Sequence, residues 1–173
     1  MTLDPAQLDA EGKKAFTNKK FVEAADLFRQ AADGYTFGRA GLLASEMKNN
    51  MSVALLQAGK PQEALDAALG TDKVFAASQD IKRQAMALGN IAAALHELGR
   101  DAEALENYDL AAQLFAQIGE DELCSIVKKS AAAVRLKGGK MTDAALNMIG
   151  ALDVKKKSSF FERILRFFFN FLK

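Results

Sequence analysis

The chain has 173 residues with a formal net charge of +1, and half of its residues are hydrophobic. A chain of this length and composition can form one soluble domain with a sizeable core. Its single cysteine, Cys124, excludes an internal disulfide framework, and no apolar segment typical of a secretory signal follows Met1. We therefore expect a cytoplasmic protein. The abundance of alanine, leucine, glutamate and lysine favours helix throughout the chain.

The predicted elements follow a repeat of 40 residues. In each repeat a basic residue is followed three positions later by an acid and then an alanine, as in Lys20-Phe21-Val22-Glu23-Ala24, Lys60-Pro61-Gln62-Glu63-Ala64, Arg100-Asp101-Ala102-Glu103-Ala104 and Lys140-Met141-Thr142-Asp143-Ala144. Apolar spacings of 3 and 4 predict helix pairs near residues 5–18 and 21–37, 40–58 and 61–77, 81–98 and 101–117, and 121–137 and 141–153. Self-similarity at this period indicates a solenoid, in which each pair stacks on its neighbours.

Two further sets of equivalent positions support the pairing. One set is small, Gly12, Ser52, Ala92 and Ala132, and the other is mostly large, Phe28, Ala68, Tyr108 and Met148. Small residues at a fixed position let two helix backbones approach closely. The turn inside three of the pairs is predicted from a glycine that can end a helix in the left-handed conformation, at Gly59, Gly99 and Gly139. Asp4 and Pro5 predict the cap and first residue of the first helix, whereas Gly34, Gly70 and Gly89 interrupt helical patterns.

The third repeat resembles a tetratricopeptide repeat. It carries that family's small residue, turn glycine, early alanine, aromatic and later alanine at Ala92, Gly99, Ala104, Tyr108 and Ala111. The usual period of the family is about 34 residues, so these longer units are similar to the long-helix repeats of kinesin light chain and the SNAP adaptors. The resemblance covers residues 5–153. It implies an all-α, right-handed α-α superhelix of four helix pairs in a domain spanning residues 1–153, and a role in protein binding.

The resemblance also implies a peptide-binding groove. In this family the earlier helix of each pair lines the concave side, which here would carry Asp9, Lys13, Phe16, Asn49, Asn50, Val53, Leu56, Asn90, His96, Glu97, Lys129, Ser130 and Leu136. Asn50, Asn90 and Ser130 share one position of the repeat, and such a ladder would hydrogen bond the backbone of an extended peptide. Equally, these side chains would serve to bond neighbouring helices. A carboxylate clamp for acidic peptides is not supported, because Met86 and Asn90 stand where its basic residues would be.

The last twenty residues, 154–173, differ in composition from the repeats. Ser159 and Glu162 form a capping box that predicts a helix from Phe160. The predicted membrane- or partner-binding residues are Lys155, Lys156, Lys157, Phe160, Phe161, Arg163, Ile164, Leu165, Arg166, Phe167, Phe168, Phe169, Phe171 and Leu172. This segment has six basic groups and one acid, a net charge of +5, which leaves −4 for the rest of a chain whose total is +1. A helix of about 22 Å is too short to span a bilayer core of about 30 Å.

Three roles remain open for this C-terminal helix. A broad aromatic face, a basic stripe and the preceding lysines are typical of a helix that lies in an anionic membrane surface. The 40-residue repeat would also place the first helix of a fifth pair at about residue 160, which fits a terminal cap, although a cap needs a polar outer face. Self-association, giving a homo-oligomer, is the third role.

Catalysis and nucleic-acid binding are not favoured by the sequence. His96 has no second histidine or cysteine at metal-ligand spacing, and Cys124 lies beside Asp121 and Glu122, which disfavour a thiolate. The acidic repeats argue against nucleic-acid binding. We expect a non-enzymatic adaptor or scaffold without a cofactor, attached at the periphery of a membrane or larger assembly. The alternative is a soluble scaffold or chaperone whose C-terminal helix is a cap or an oligomerisation element.

Overall fold

The computed structural model describes residues 4–138, and all of the secondary structure in this range is helical. Its helices are α1 (Pro5–Thr17), α2 (Phe21–Phe37), α3 (Gly41–Gln57), α4 (Pro61–Ala68), α5 (Thr71–Ala77), α6 (Ile81–Glu97), α7 (Asp101–Gln117) and α8 (Asp121–Gly138). Most helices pack on the helices before and after them, whereas α4 and α5 hardly touch each other and both pack on α3 and α6. The all-α prediction is confirmed, and the arrangement is consistent with an α-α solenoid. The predicted helix over residues 141–153 and the C-terminal segment 154–173 lie outside the described residues.

We call α1, α3, α6 and α8 the first helices, and α2, α4 with α5, and α7 the second helices. The start of α1 is as predicted, because Asp4 caps the helix in a capping box with Gln7 and Pro5 is its first residue. The Asp4 carboxylate accepts from the Gln7 backbone nitrogen at 2.9 Å, and the Gln7 side chain accepts from the Asp4 backbone nitrogen at 3.1 Å. Both bonds satisfy donors that a helix start leaves unpaired.

The turns within the pairs share one backbone geometry. Gly59 and Gly99 have positive φ angles of 73° and 74°, which confirms the glycine prediction at these two turns. Lys19 takes the same conformation at 60° without being glycine. In each turn the residue that follows the one with positive φ donates its backbone N–H to the carbonyl oxygen five residues earlier. Lys60, for example, donates to Leu55 at 2.9 Å. This bond satisfies a carbonyl at the helix end. Gly139 lies outside the described residues.

The second pair departs from the sequence prediction. A single helix over residues 61–77 was expected, but the chain forms α4 and α5 with a break at Leu69 and Gly70. Gly70 has a φ of 84°, which ends α4. The Thr71 hydroxyl donates to the Ala68 carbonyl oxygen at 2.7 Å and so replaces a helical hydrogen bond lost at the break. Thr71 and Phe75 remain buried beyond it.

The core follows the small and large positions of the repeat. Ala24, Ala64 and Ala104 are fully buried. Gly12 lies directly against Phe28, since a Cβ atom at Gly12 would come within 2.8 Å of the Phe28 ring. The small residue therefore makes room for the large one on the neighbouring helix. The close approach of the two helices at Gly12 was predicted, whereas the contact with Phe28 was not.

Ion pairs connect successive helix pairs. Arg83 at the start of α6 lies 3.3 Å from Glu46 on α3, and Lys82 pairs with Glu120, which immediately precedes α8. The Glu46 side chain is only 15% exposed, so this pair is screened less by solvent than most surface pairs. These contacts link α6 to α3 and to the residue that precedes α8. Between residues 4 and 138, no helix combines the length and the apolar character that crossing a membrane requires.

Candidate peptide-binding residues on the first helices

The first helices carry two buried asparagines at the same position of the repeat. Asn50 on α3 is 6% exposed and Asn90 on α6 is 5% exposed. Buried amides in folded proteins are normally hydrogen-bonded, because leaving one unpaired costs about 1–3 kcal/mol. Because both amides are buried, their hydrogen-bond partners decide whether they stabilise the fold or are left for a ligand.

Asn50 has a donor that the protein itself does not use. Its Nδ2 atom is buried and has no hydrogen-bond partner among residues 4–138. Two other buried oxygens of the first helices share this state, Oδ1 of Asp9 on α1 and Oγ of Ser52 on α3. An unpaired buried polar atom calls for an explanation, and donors and acceptors of this kind match the two polar groups of a peptide unit.

The neighbouring Asn49 is used within the fold. Its Oδ1 atom accepts from the Thr71 hydroxyl at 3.1 Å, and Thr71 is itself held at the break between α4 and α5. Asn49 is thus tied to the second helix of its own pair, in the way that the second interpretation of the sequence supposed. Sequence reasoning had not assigned Thr71 to the site. Its signal was a threonine at the position where Ala31 and Ala111 stand in the other repeats.

Ser130, the third member of the predicted ladder, also bonds to its surroundings. Its hydroxyl donates to the Ile126 carbonyl oxygen at 3.2 Å and hydrogen bonds with Tyr108 on α7. Burial raises the pKa of Tyr108 well above its usual range, and the nearby charge of Glu97 adds to the rise, while the bond with Ser130 lowers it. The phenol therefore stays neutral, and it joins α7 to α8.

The α1 end of the site is acidic. Lys13 lies 2.8 Å from Oδ2 of Asp9, so one carboxylate oxygen is paired and the other is not. Burial raises the pKa of Tyr35, and the charges of Asp9, Asp4 and Glu46 raise it further. Three carboxylates from two first helices and the chain before α1 thus act on one tyrosine.

An aromatic pair and a polar pair occupy the same turn position in different repeats. The Phe16 ring packs edge-on against Phe21, with centroids 5.2 Å apart and planes at 64°. The equivalent residues of the third repeat are His96 and Asp101, whose Nδ1 and Oδ1 atoms lie 2.7 Å apart. Each pair joins the end of a first helix to the start of a second helix. The sequence analysis did not identify Asp101 as a partner of His96. The 40-residue repeat could have shown it, because Asp101 is equivalent to Phe21 and His96 is equivalent to Phe16.

The remaining predicted groove residues differ in exposure. Val53 is buried at 2%, Leu56 is half-buried, and Leu136 is 50% exposed. Lys129 and Glu97 are exposed. The unpaired oxygen of Asp9 thus lies on α1 and the unpaired donor of Asn50 lies on α3. The charged residues predicted on α6 and α8, Glu97 and Lys129, are exposed to solvent.

Nothing within residues 4–138 forms a group of three histidine, cysteine, aspartate or glutamate side chains that could hold a metal ion. Cys124 is buried, and its thiol donates to the Ala112 carbonyl oxygen at 3.4 Å. The predicted membrane- or partner-binding residues, Lys155 to Leu172, lie outside the described residues. No protein-family profile matches the chain, and no curated protein is significantly similar to it.

Proposed function

We propose that the protein is a non-enzymatic adaptor that binds an extended segment of a partner protein along its first helices. The tetratricopeptide resemblance of the sequence supports this function. The stacking of successive helix pairs is in keeping with it, since solenoids present extended binding surfaces.

The observation that carries the proposal is the unpaired Nδ2 atom of Asn50. A donor without an acceptor weakens the folded protein. Because this Nδ2 atom is buried, the Asn50 side chain must turn outward before a partner's carbonyl oxygen can accept from it, and the complex then gains the missing hydrogen bond. Asn90 at the equivalent position of the next first helix would continue the same contact along the partner's backbone. Main-chain recognition of this kind fits an extended peptide.

The test is a binding measurement with paired asparagine variants. A peptide selected by display on the intact chain is titrated into the wild type and into Asn50→Ala/Asn90→Ala. We expect the double variant to bind at least about tenfold more weakly, since each lost hydrogen bond costs about 1–3 kcal/mol. Asn107→Ala is the matched control, because its amide bonds the Glu103 carbonyl oxygen on a second helix. Equal affinity for all three proteins would exclude the asparagines from recognition.

The second part of the proposal is that residues 154–173 attach the adaptor to an anionic membrane surface. The supporting observation is the charge division of the chain, with +5 in this segment and −4 elsewhere. Basic groups beside a broad aromatic face bind at the lipid headgroups, and each basic residue contributes about 1 kcal/mol near an anionic surface.

Vesicle flotation of the intact chain tests the attachment. We expect binding that rises with anionic lipid, weakens with salt and is lost in Phe167→Glu/Phe168→Glu. Ser158→Glu/Asn170→Glu adds the same two charges without altering the phenylalanines, so it should retain more binding. Protein that stays unbound at low salt would contradict the attachment.

A soluble scaffold or chaperone is the second candidate, favoured by the 40-residue repeat that places a further first helix at about residue 160. Under that function the C-terminal helix caps the array or joins two copies. Deleting residues 155–173 would then lower the melting temperature or convert an oligomer to a monomer, without any lipid binding to lose.

A further inference from the structure

The turn between the first two helix pairs exposes large apolar side chains. Phe37, the last residue of α2, is 94% exposed, so its ring lies almost wholly in solvent. Leu42 and Leu43, in the first turn of α3, are 39% and 41% exposed. We call residues 37–43 the apolar turn. Removing such side chains from water is favourable, so the apolar turn is suited to contact with another apolar phase.

The apolar turn departs from the repeat. In the next two repeats the position of Phe37 is held by Ala77 and Gln117. The positions of the two leucines hold Lys82 and Arg83 in the second repeat, and both of these side chains form ion pairs. The stacking of helix pairs therefore does not account for the exposed phenylalanine and leucines.

Charge also distinguishes the apolar turn. Arg39 is its only charged residue, and the chain has no acid from Gly34 to Ser45. The Arg39 side chain is exposed. The chain outside residues 154–173 has a net charge of −4, so the apolar turn is a basic and apolar site in an acidic array. An arginine beside exposed apolar groups suits a surface that is anionic outside and apolar inside.

We propose that the apolar turn inserts Phe37 into an anionic membrane surface, as a second contact beside residues 154–173. This inference rests on the proposed membrane attachment. When residues 154–173 hold the chain at the surface, insertion of the apolar turn is an intramolecular step, so a weak contact suffices. Two contacts also fix which side of the array faces the lipid, whereas a single contact leaves it free to rotate.

The size of the apolar turn favours lipid over a protein partner. A stable protein interface buries about 800 Å² of each partner, and one aromatic side chain contributes only about 150–250 Å². Leu42 and Leu43 are already more than half covered by their own protein and add little. A membrane surface requires no matching shape, because apolar side chains enter the boundary between headgroups and acyl chains while Arg39 stays at the headgroups.

Tryptophan fluorescence in the intact chain tests the insertion. The chain contains no tryptophan, so Phe37→Trp provides a single reporter on the apolar turn. Gln117→Trp is the matched control, because it places the same reporter at the equivalent exposed position after α7. We expect anionic phospholipid vesicles to shift the emission at position 37 to shorter wavelength, and acyl-brominated lipids to quench it at least about twofold. The reporter at position 117 should respond little.

Vesicle flotation provides the second measurement. Phe37→Asp and Gln117→Asp add the same charge at equivalent exposed positions, and we expect only the first to weaken binding, by at least about fivefold. Flotation that is lost in Phe37→Asp but survives Phe167→Glu/Phe168→Glu would support the apolar turn and contradict attachment through residues 154–173.

Other outcomes separate this inference from the proposed attachment. Flotation with an unquenched reporter at position 37, or with equal quenching at both positions, would overturn the insertion and leave the attachment intact. An intact chain that does not float at low salt would contradict both. Emission at position 37 that is already shifted without lipid, or that shifts with protein concentration, would overturn the insertion in favour of cover by the chain itself or by a second copy.

Discussion

Ser52 is a fully buried hydroxyl at a position where the three other repeats have glycine or alanine. Its Oγ atom has no hydrogen-bond partner among the described residues, while the Ser130 hydroxyl on α8 is bonded. A buried hydroxyl without a partner loses its hydration and gains nothing in return. The two serines therefore contribute to stability with opposite sign.

We predict that Ser52→Ala raises the free energy of unfolding by about 1–3 kcal/mol, because it removes an unpaired hydroxyl from the core. Ser130→Ala is the control and should lower the same quantity, since it breaks a hydrogen bond. Denaturant titration of both variants measures the two changes. A loss of stability in Ser52→Ala would show that its hydroxyl has a partner.

Tyr108 predicts a specific response to alkaline pH. Its pKa in the folded protein is raised above the unfolded value of about 10. A raised pKa means that the folded state holds the proton more tightly, so stability is complete below about pH 10 and falls as the pH rises above it. Tyr108→Phe should remove much of this alkaline loss. Melting temperatures between about pH 8 and 11 provide the measurement, and an identical decline in the two proteins would contradict it.

At the scale of the helices, the break between α4 and α5 is connected to the candidate site through Thr71, which contacts Asn49. Thr71 bonds both the Ala68 carbonyl oxygen and the Asn49 side chain. The break thus determines that Asn49, but not Asn50, has a partner from the second helix of its pair. A change at Thr71 therefore affects both the helix end and a predicted groove residue.

Thr71→Val tests this connection, because valine keeps the shape and removes the hydroxyl. We expect a loss of about 1–3 kcal/mol in the free energy of unfolding, since valine lacks the single hydroxyl proton that the two buried acceptors share. The control is Thr36→Val, whose hydroxyl bonds only the Ala32 carbonyl oxygen near the surface. Equal losses in the two variants would show that the bond to Asn49 adds nothing.

The 40-residue repeat predicted most helices to within one residue, but it did not distinguish three glycines. Helices continue through Gly34 and Gly89 and break at Gly70. Gly34 lies against Pro5 of another helix, and Gly89 is buried within α6, so tertiary packing keeps both helices intact. At Gly70 the adjacent threonine hydroxyl replaces the missing backbone bond. Likewise, sequence placed Asn50 and Asn90 at one position, but the partners of each amide depend on contacts between helices.

At the scale of the whole molecule, close contacts between successive helices hold the array together. Ala104 is fully buried in the core, while Ala102 on the same helix is exposed. Interiors of this kind have little free volume, and an added side chain must displace its neighbours. The array should therefore be sensitive to size at its alanine positions and tolerant elsewhere.

We predict that Ala104→Leu lowers the free energy of unfolding by about 1–3 kcal/mol through overpacking. Ala102→Leu makes the same chemical change on the exposed side of α7 and should stay within about 0.5 kcal/mol. Chemical denaturation of both variants gives the comparison. Similar small effects from both would contradict the assignment of the buried position.

The packing of most helices on their chain neighbours also bears on how the protein acquires its structure. Contacts between residues close in sequence need little loop closure, so folding is fast and begins at any one pair before spreading to the next. During synthesis the contacts between α1 and α2 are available as soon as α2 has emerged from the ribosome, and those between α2 and α3 follow when α3 emerges. The array can thus assemble in order from its N-terminal end, well before residues 154–173 are made.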